Sequence, residues 1–244
     1  MNFEQDDNTI ISALQSGDLA LQGQFVLGSN YAFLAEASYD NSKLMAVYKP
    51  SRGERPLWDF PTRSLAKREA AAYLVSEALG WQLVPPTVYR RRKTPLGPGS
   101  LQLFVEHDPD YHYFTFTSED KQRLRPTAVF DILVNNADRK GGHILVDRQD
   151  HIWLIDHGLC FHHDDKLRTI LWDFSGEPIA DELLDQVKAL VAQLEDTADI
   201  YRQLGQLISP VEISALCRRG RKLLSERTFP LPSQEYRPYP WPPI

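Results

Sequence analysis

Asn135-Asn136-Ala137-Asp138-Arg139-Lys140-Gly141-Gly142-His143-Ile144-Leu145-Val146, followed after five residues by Ile152-Trp153-Leu154-Ile155-Asp156-His157-Gly158, alternates polar and apolar blocks. It predicts a polar loop, an apolar strand, a turn and a second apolar strand that stops at Asp-His-Gly. Asp156 directly follows a buried-type run, where an acid serves either as a metal ligand or as a turn cap. His143 opens the facing strand, so the hairpin brings it opposite Asp156. Asp138 sits in the loop ahead of both.

Outward from this unit the chain divides in character near 106–112. On the C-terminal side the pattern is helical. Ser118 is expected to cap a turn through Lys121, and Pro126 to open a helix over 127–135 at its first position. Leu183, Leu184, Val187, Leu190, Val191 and Leu194 recur at three-to-four spacing and predict one helix over 181–207, with another over 211–227. The segment 229–244 is rich in proline and aromatics and reads as an extended strap on the body or a docking segment for a protein partner.

The N-terminal side is strand-rich. After an amphipathic segment over 10–21, strands are expected over 23–26, 31–37, 43–49, 84–89 and 100–105, with one helix over 65–79 closed by Gly80. The last two strands would be joined by a basic tip, Arg90-Arg91-Arg92-Lys93, in solvent. These patterns give an α+β chain of two lobes, 1–106 and 107–244.

Composition limits the function classes. The chain has 244 residues, 42% hydrophobic and 25% charged, the profile of a globular protein able to bury its own core. A formal net charge of −6 argues against a nucleic-acid surface. Two cysteines, Cys160 and Cys217, show no zinc or redox spacing and suit a reducing cytoplasm. The acidic start has no apolar core, so no signal peptide is expected, and no run of about 18 apolar residues predicts a membrane span. Neither a Gly-x-Ser-x-Gly elbow nor a Gly-Lys-Ser/Thr phosphate loop occurs.

Three further features ask for chemistry. Glu69 falls inside the apolar stripe Leu65, Ala66, Ala70, Tyr73, Leu74, where a carboxylate is costly unless paired. Lys49 ends the preceding apolar strand and can reach it; the alternative is a solvated Glu69 at the stripe's edge. Gly28-Ser29-Asn30, between two strands, either covers phosphates with backbone N–H groups or makes a plain turn. His157, His162, His163, Asp164 and Asp165 form a second polar cluster that matches no standard metal spacing and reads as a solvated loop. A lysine held by a glutamate, together with acids at a hairpin mouth, is the equipment of phosphoryl transfer.

Taken in order, Lys49, Glu69, Phe104-Val105-Glu106, Asn-Ala-Asp138-Arg139-Lys140-Gly-Gly-His143 and Asp156-His157-Gly158 resemble the phosphatidylinositol 3-/4-kinase-like branch of the protein-kinase-like superfamily, and within it a bacterial group. The resemblance implies a two-lobed kinase-like fold that uses ATP and Mg2+ or Mn2+ to phosphorylate a lipid, small-molecule or protein hydroxyl. It implies that Lys49 contacts phosphates and Glu69 positions it. Ser29 and Asn30 would lie in the phosphate-covering loop, and Phe104, Val105 and Glu106 in the hinge that meets adenine. Asp138 would be the catalytic acid residue and Asp156 a metal ligand. The chain departs from the family pattern where His143 replaces the usual Asn, Lys140 the usual His and His157 the usual Phe. Imidazole at 143 suits manganese better than magnesium. These departures keep two other outcomes open, a nucleotide-binding pseudokinase or scaffold and a transferase of AMP.

Overall fold

Alternation along one strand sets the architecture. In β3 (Ser42–Pro50), Leu44, Ala46 and Tyr48 are buried, while Met45, Val47 and Lys49 point to the opposite face. The computed structural model describes residues 7–25, 31–40, 42–196 and 199–244. In it β1 (Asp18–Phe25), β2 (Ala32–Tyr39), β3, β5 (Gly99–Leu103) and β4 (Thr87–Arg90) form, in that spatial order, an antiparallel sheet. On one face lies α1 (Asp7–Ser16), whose Ile10, Ala13 and Leu14 pack with Ala35, Ala46, Tyr48 and Leu101. The other face of β3 overlooks a cleft.

The helix α2 (Leu65–Ala78) serves both lobes. It touches β4 and β5, yet its Ala71, Ala72 and Val75 belong to the larger core. That core also holds α4 (Arg125–Val134), α5 (Asp181–Glu195), α6 (Asp199–Leu204) and α7 (Pro210–Glu226). Arg68, buried on α2, fixes the attachment: its Nη1 donates to the Cys160 carbonyl at 2.6 Å and its Nη2 pairs with Glu212 of α7. The first N–H groups of α2 find an acceptor in Glu54, whose carboxylate receives Leu65 N at 3.1 Å and Ala66 N at 3.0 Å.

In the larger lobe β6 (Ile144–Val146) and β7 (Ile152–Leu154) pair antiparallel. At Gly220 a Cβ would stand 2.5 Å from Val191 Cγ2, so glycine permits the close approach of α7 to α5. The C-terminal strap lies on the body. Phe229 is buried, the Pro238 carbonyl accepts from Thr169 N at 3.0 Å and Trp172 Nε1 at 3.2 Å, and the Pro243 carbonyl accepts from Gly141 N at 2.8 Å.

Several sequence expectations need correction. The segment 10–21 is not one element: α1 stops before Gly17, and β1 starts at Asp18 rather than 23. β1 is mostly exposed, so its side chains carry no alternating burial to announce it. The strand expected from 84 begins at Thr87, after Pro85-Pro86. The cap of α3 (Ser118–Gln122) is Thr117, not Ser118: the Thr117 hydroxyl accepts from Asp120 N while Asp120 accepts from Thr117 N. Pro126 is the second residue of α4, not the first. The span 181–207 holds two helices, α5 and α6. Arg90 leaves the solvated tip: it is buried, with Nη1 toward the Leu14 carbonyl of α1.

Candidate active site

The loop after α4 is fixed before it reaches Asp138. Asn135 ends the helix in the left-handed region, at φ 54°. Its side-chain Nδ2 donates to the carbonyls of His162 (2.9 Å) and Asp164 (2.6 Å), and its Oδ1 accepts from Lys166 N at 2.9 Å. Asn136 donates to Asp131 at 3.1 Å and accepts from Asp138 N at 2.9 Å. The two asparagines therefore tie the loop both to its helix and to the segment after Gly158.

Arg139 is fully buried. Its Nε donates to both oxygens of buried Asp131 at 3.1 Å, its Nη1 to the Ile155 carbonyl at 2.9 Å, and its Nη2 to His157 Nε2 at 2.7 Å. Thr169 Oγ1 adds a bond to Asp131 at 3.1 Å. A buried ion pair survives desolvation only when its remaining donors and acceptors are met, as here. Burial, and then Arg139, hold His157 well below the ordinary imidazole range, so it is neutral. With Nε2 accepting, the proton resides on Nδ1.

Asp156 has φ 61°, a backbone region that Asp tolerates better than most residues. The turn sends Asp156 toward the cleft and His157 into the core. Lys49 Nζ lies 2.5 Å from Glu69 Oε1 and 3.0 Å from Asp156 Oδ1. Glu69 Oε2 accepts from His157 N at 2.9 Å. One glutamate thus grips both the lysine of β3 and the backbone after Asp156. His143 Nε2 lies 3.3 Å from Asp156 Oδ2, and Lys140 Nζ 3.3 Å from Asp138 Oδ2.

The charges follow from these neighbours. Burial works against the Lys49 charge, but Asp156 and Glu69 outweigh it and keep the ammonium. Lys49 holds the Asp156 carboxyl far below the usual range despite burial. Burial pushes Glu69 up, and Lys49 opposes. Burial also pushes Asp138 up to about 6, with Lys140 opposing, and takes His143 down to about 4 against the pull of Asp156.

Lys49, Glu69, Asp138, His143 and Asp156 line one cavity of about 540 Å³ between the lobes, with Phe104 and Val105 on its wall. Glu106 is exposed instead, 3.5 Å from Arg148. Its position at the end of β5's extension turns the side chain to solvent. Ser29 and Asn30 lie outside the described residues. The donor set fits a divalent cation: an ionised carboxylate and a neutral imidazole meet at the cavity wall. Lys140 N donates to His143 Nδ1 at 3.4 Å, so ligation through Nε2 requires the other tautomer.

The second polar cluster is not a solvated loop throughout. His157 and His162 are buried, and both His162 nitrogens are engaged: Nδ1 accepts from Asp164 N at 3.0 Å and Nε2 meets the Asp59 carbonyl at 2.9 Å. Sequence reading missed Asp131, Arg68 and Thr169. Their partners lie 8, 144 and 38 positions away. For Asp131 and Arg68 a signal existed, a charge at helical spacing with apolar residues of α4 and α2.

Comparison with known proteins identifies the family and the fold. Residues 61–218, more than half of the chain, match the family model described as phosphatidylinositol 3- and 4-kinase. Protein Rv2133c of Mycobacterium tuberculosis is 39% identical, covering 99% of this chain and 97% of its own length. Phosphatidylinositol 4-kinase gamma 4 of Oryza sativa is 28% identical over 75% of this chain, which spans only 38% of the rice protein. Among solved structures, the Golgi casein kinase with Mn/ADP bound superposes with a TM-score of 0.54 at 14% identity, covering 90% of this chain and 75% of that one. That likeness establishes a two-lobed, protein-kinase-like fold. The chain belongs to the phosphatidylinositol 3- and 4-kinase family.

Proposed function

We propose that this protein is an ATP-dependent phosphotransferase whose nucleotide lies in the cavity between the lobes, with a divalent cation held by Asp156 and His143. The observation that carries the reading is the convergence of Lys49, Glu69, Asp138, His143 and Asp156 on that one cavity. Lys49 offsets the charge of the nucleotide phosphates, and Glu69 keeps it aimed there. Phe104 and Val105 face the base. Asp138 orients the acceptor hydroxyl and takes its proton as that oxygen bonds to the γ-phosphorus and the bond from the γ-phosphorus to ADP breaks, ADP being the leaving group. A carboxyl pushed up to about 6 suits that role near neutral pH. The cation, when bound, neutralises phosphate oxygens and fixes their geometry. Mn2+ is the better match to a carboxylate–imidazole pair, and Mg2+ is the alternative.

The acceptor carries a hydroxyl. It enters through a second cleft of about 540 Å³ between Phe114, Trp172, Asp173 and the strap residues Tyr239 and Trp241, whose lining residues Phe114 and Pro243 flank Gly141. The names of the plant relatives make phosphatidylinositol the first acceptor to test, ahead of free polyols and protein serine.

The test has two stages. Thermal unfolding with ATP plus Mn2+ or Mg2+ should rise for the native chain and not for Asp156→Ala. Transfer of γ-phosphate to phosphatidylinositol vesicles, inositol or a serine peptide should then be lost in Asp138→Asn. No nucleotide shift under any metal would refute the reading. A shift with no transfer to any acceptor would mark a binding module instead.

A further inference from the structure

Gln102 is buried in β5, and it also lines the nucleotide cavity. It pairs across the sheet with Val47, so its side chain shares the face of Val47 and Lys49. Phe104 and Val105 follow it directly on the cavity wall. A base lying against them would share the cavity wall with Gln102.

An amide end can present either an acceptor or donors, and which one it presents decides what it reads. Here the choice is made two bonds away. Thr87 Oγ1 donates to the Pro85 carbonyl at 2.7 Å. A hydroxyl has one hydrogen, so this Oγ1 can only accept from its other neighbour. That neighbour is Gln102, whose Nε2 donates to it at 2.9 Å. Turning the amide over would set Oε1 against an oxygen with no hydrogen to give, in a buried place where an unmet polar group is costly. The nitrogen end is therefore locked toward Thr87, and Oε1 is left as an acceptor on the cavity side.

We propose that Gln102 is the base-reading residue of this cavity, and that Thr87 is a positioning residue that sets it to accept the exocyclic amine of adenine and reject the oxo group of guanine. The inference rests on the nucleotide reading above and adds the selectivity of that site. Adenine offers an amino hydrogen where guanine offers an oxygen. Facing Gln102 Oε1, adenine gains a hydrogen bond, whereas guanine brings two acceptors together.

Equilibrium titration of the full chain with ATP and with GTP, each with Mn2+, tests this. The native chain should bind ATP at least about tenfold more tightly than GTP, the difference between a bond made and two acceptors opposed. Thr87→Val frees the amide to turn over and should bring the ratio to within about threefold of one. Thr87→Ser, which keeps the hydroxyl, should restore it, and Gln102→Leu should abolish it. A merely structural role for Thr87 would weaken both nucleotides together and leave the ratio unchanged. Equal binding of ATP and GTP by the native chain, or full discrimination in Thr87→Val, overturns the assignment while the nucleotide reading stands. Binding of neither nucleotide overturns both.

Discussion

Three pairs of adjacent residues are each divided between two networks. Glu69, Asp138 and Asp156 line the cavity, while their neighbours Arg68, Arg139 and His157 lie in the sealed interior behind it. The front network, Lys49–Glu69–Asp156–His143, opens onto a space large enough for a ligand. The back network, Arg139–Asp131–His157–Thr169 with Arg68–Glu212, has every member buried. Both use the same chemistry of ion pairs and imidazoles. They differ in what surrounds them, and so in what breaking them should do. Lys49, Asp156 and His143 can exchange a partner for water or a ligand, whereas buried Glu69 and the back residues can only leave a charge stranded.

The sharpest break is Arg139→Ala, which strands Asp131 and unties Ile155 and His157. It should cost about 3–5 kcal/mol in denaturant unfolding. A loss under about 1 kcal/mol would erase the distinction between front and back. Arg68→Ala should cost nearly as much, by leaving Glu212 without its counter-charge and the Cys160 carbonyl without its donor. It should also weaken nucleotide binding, because Glu69 is the next residue on the same helix.

Asp138→Asn tests the front in the opposite sense. Phosphoryl transfer should fall by about 10²–10⁴-fold while stability at pH 7 is unchanged or higher. The sign follows from the carboxyl's elevation to about 6 by burial. The folded chain holds this proton more tightly than the unfolded one, whose value is about 3.9. The group's stabilising contribution is therefore present below about pH 4 and lost as pH rises through 6. In the native chain the transfer rate should rise with pH through about 6, as the base ionises, and then level. A rate flat from pH 5 to 8 would remove Asp138 from the role.

Asp156→Ala should abolish the metal-dependent nucleotide shift, a loss of about 2.7 kcal/mol of ligand stabilisation at a hundredfold excess over Kd. The smallest effect is expected from deleting 237–244. The hydrogen bonds from Thr169, Trp172 and Gly141 to the strap carbonyls should each be worth about 0.5–1.5 kcal/mol. Intact acceptor turnover after that deletion would separate the strap from the second cleft's function.

Much of the front was legible in the chain because local rules report it. Lys49 near the end of β3, a carboxylate inside the stripe of α2 and an acid just beyond β7 each violate a hydrophobic pattern, and a pattern broken in a buried place points to chemistry. The back was not legible. Arg139 follows a charged neighbour in a polar-looking run, and nothing within a few residues says it is buried; Arg68 shares its face with Leu65 and Ala72, but its partners Cys160 and Glu212 are far along the chain. His157 read as part of a solvated cluster because its neighbours are polar, although the positive φ of Asp156 turns it inward.

By itself the sequence determined the alternation of β3, the helical stripe of α2, the hairpin that carries Asp156, and the order in which these arrive. Those follow from periodicity and turn chemistry, which act over a few residues. Only the tertiary structure decided that Arg68 bolts α2 to α7, that Arg139 joins Asp131 to the Ile155 carbonyl and His157, and that Gln102 donates to Thr87. Each depends on which distant group supplies the missing hydrogen-bond partner once water is excluded, and that is a property of packing rather than of spacing along the chain.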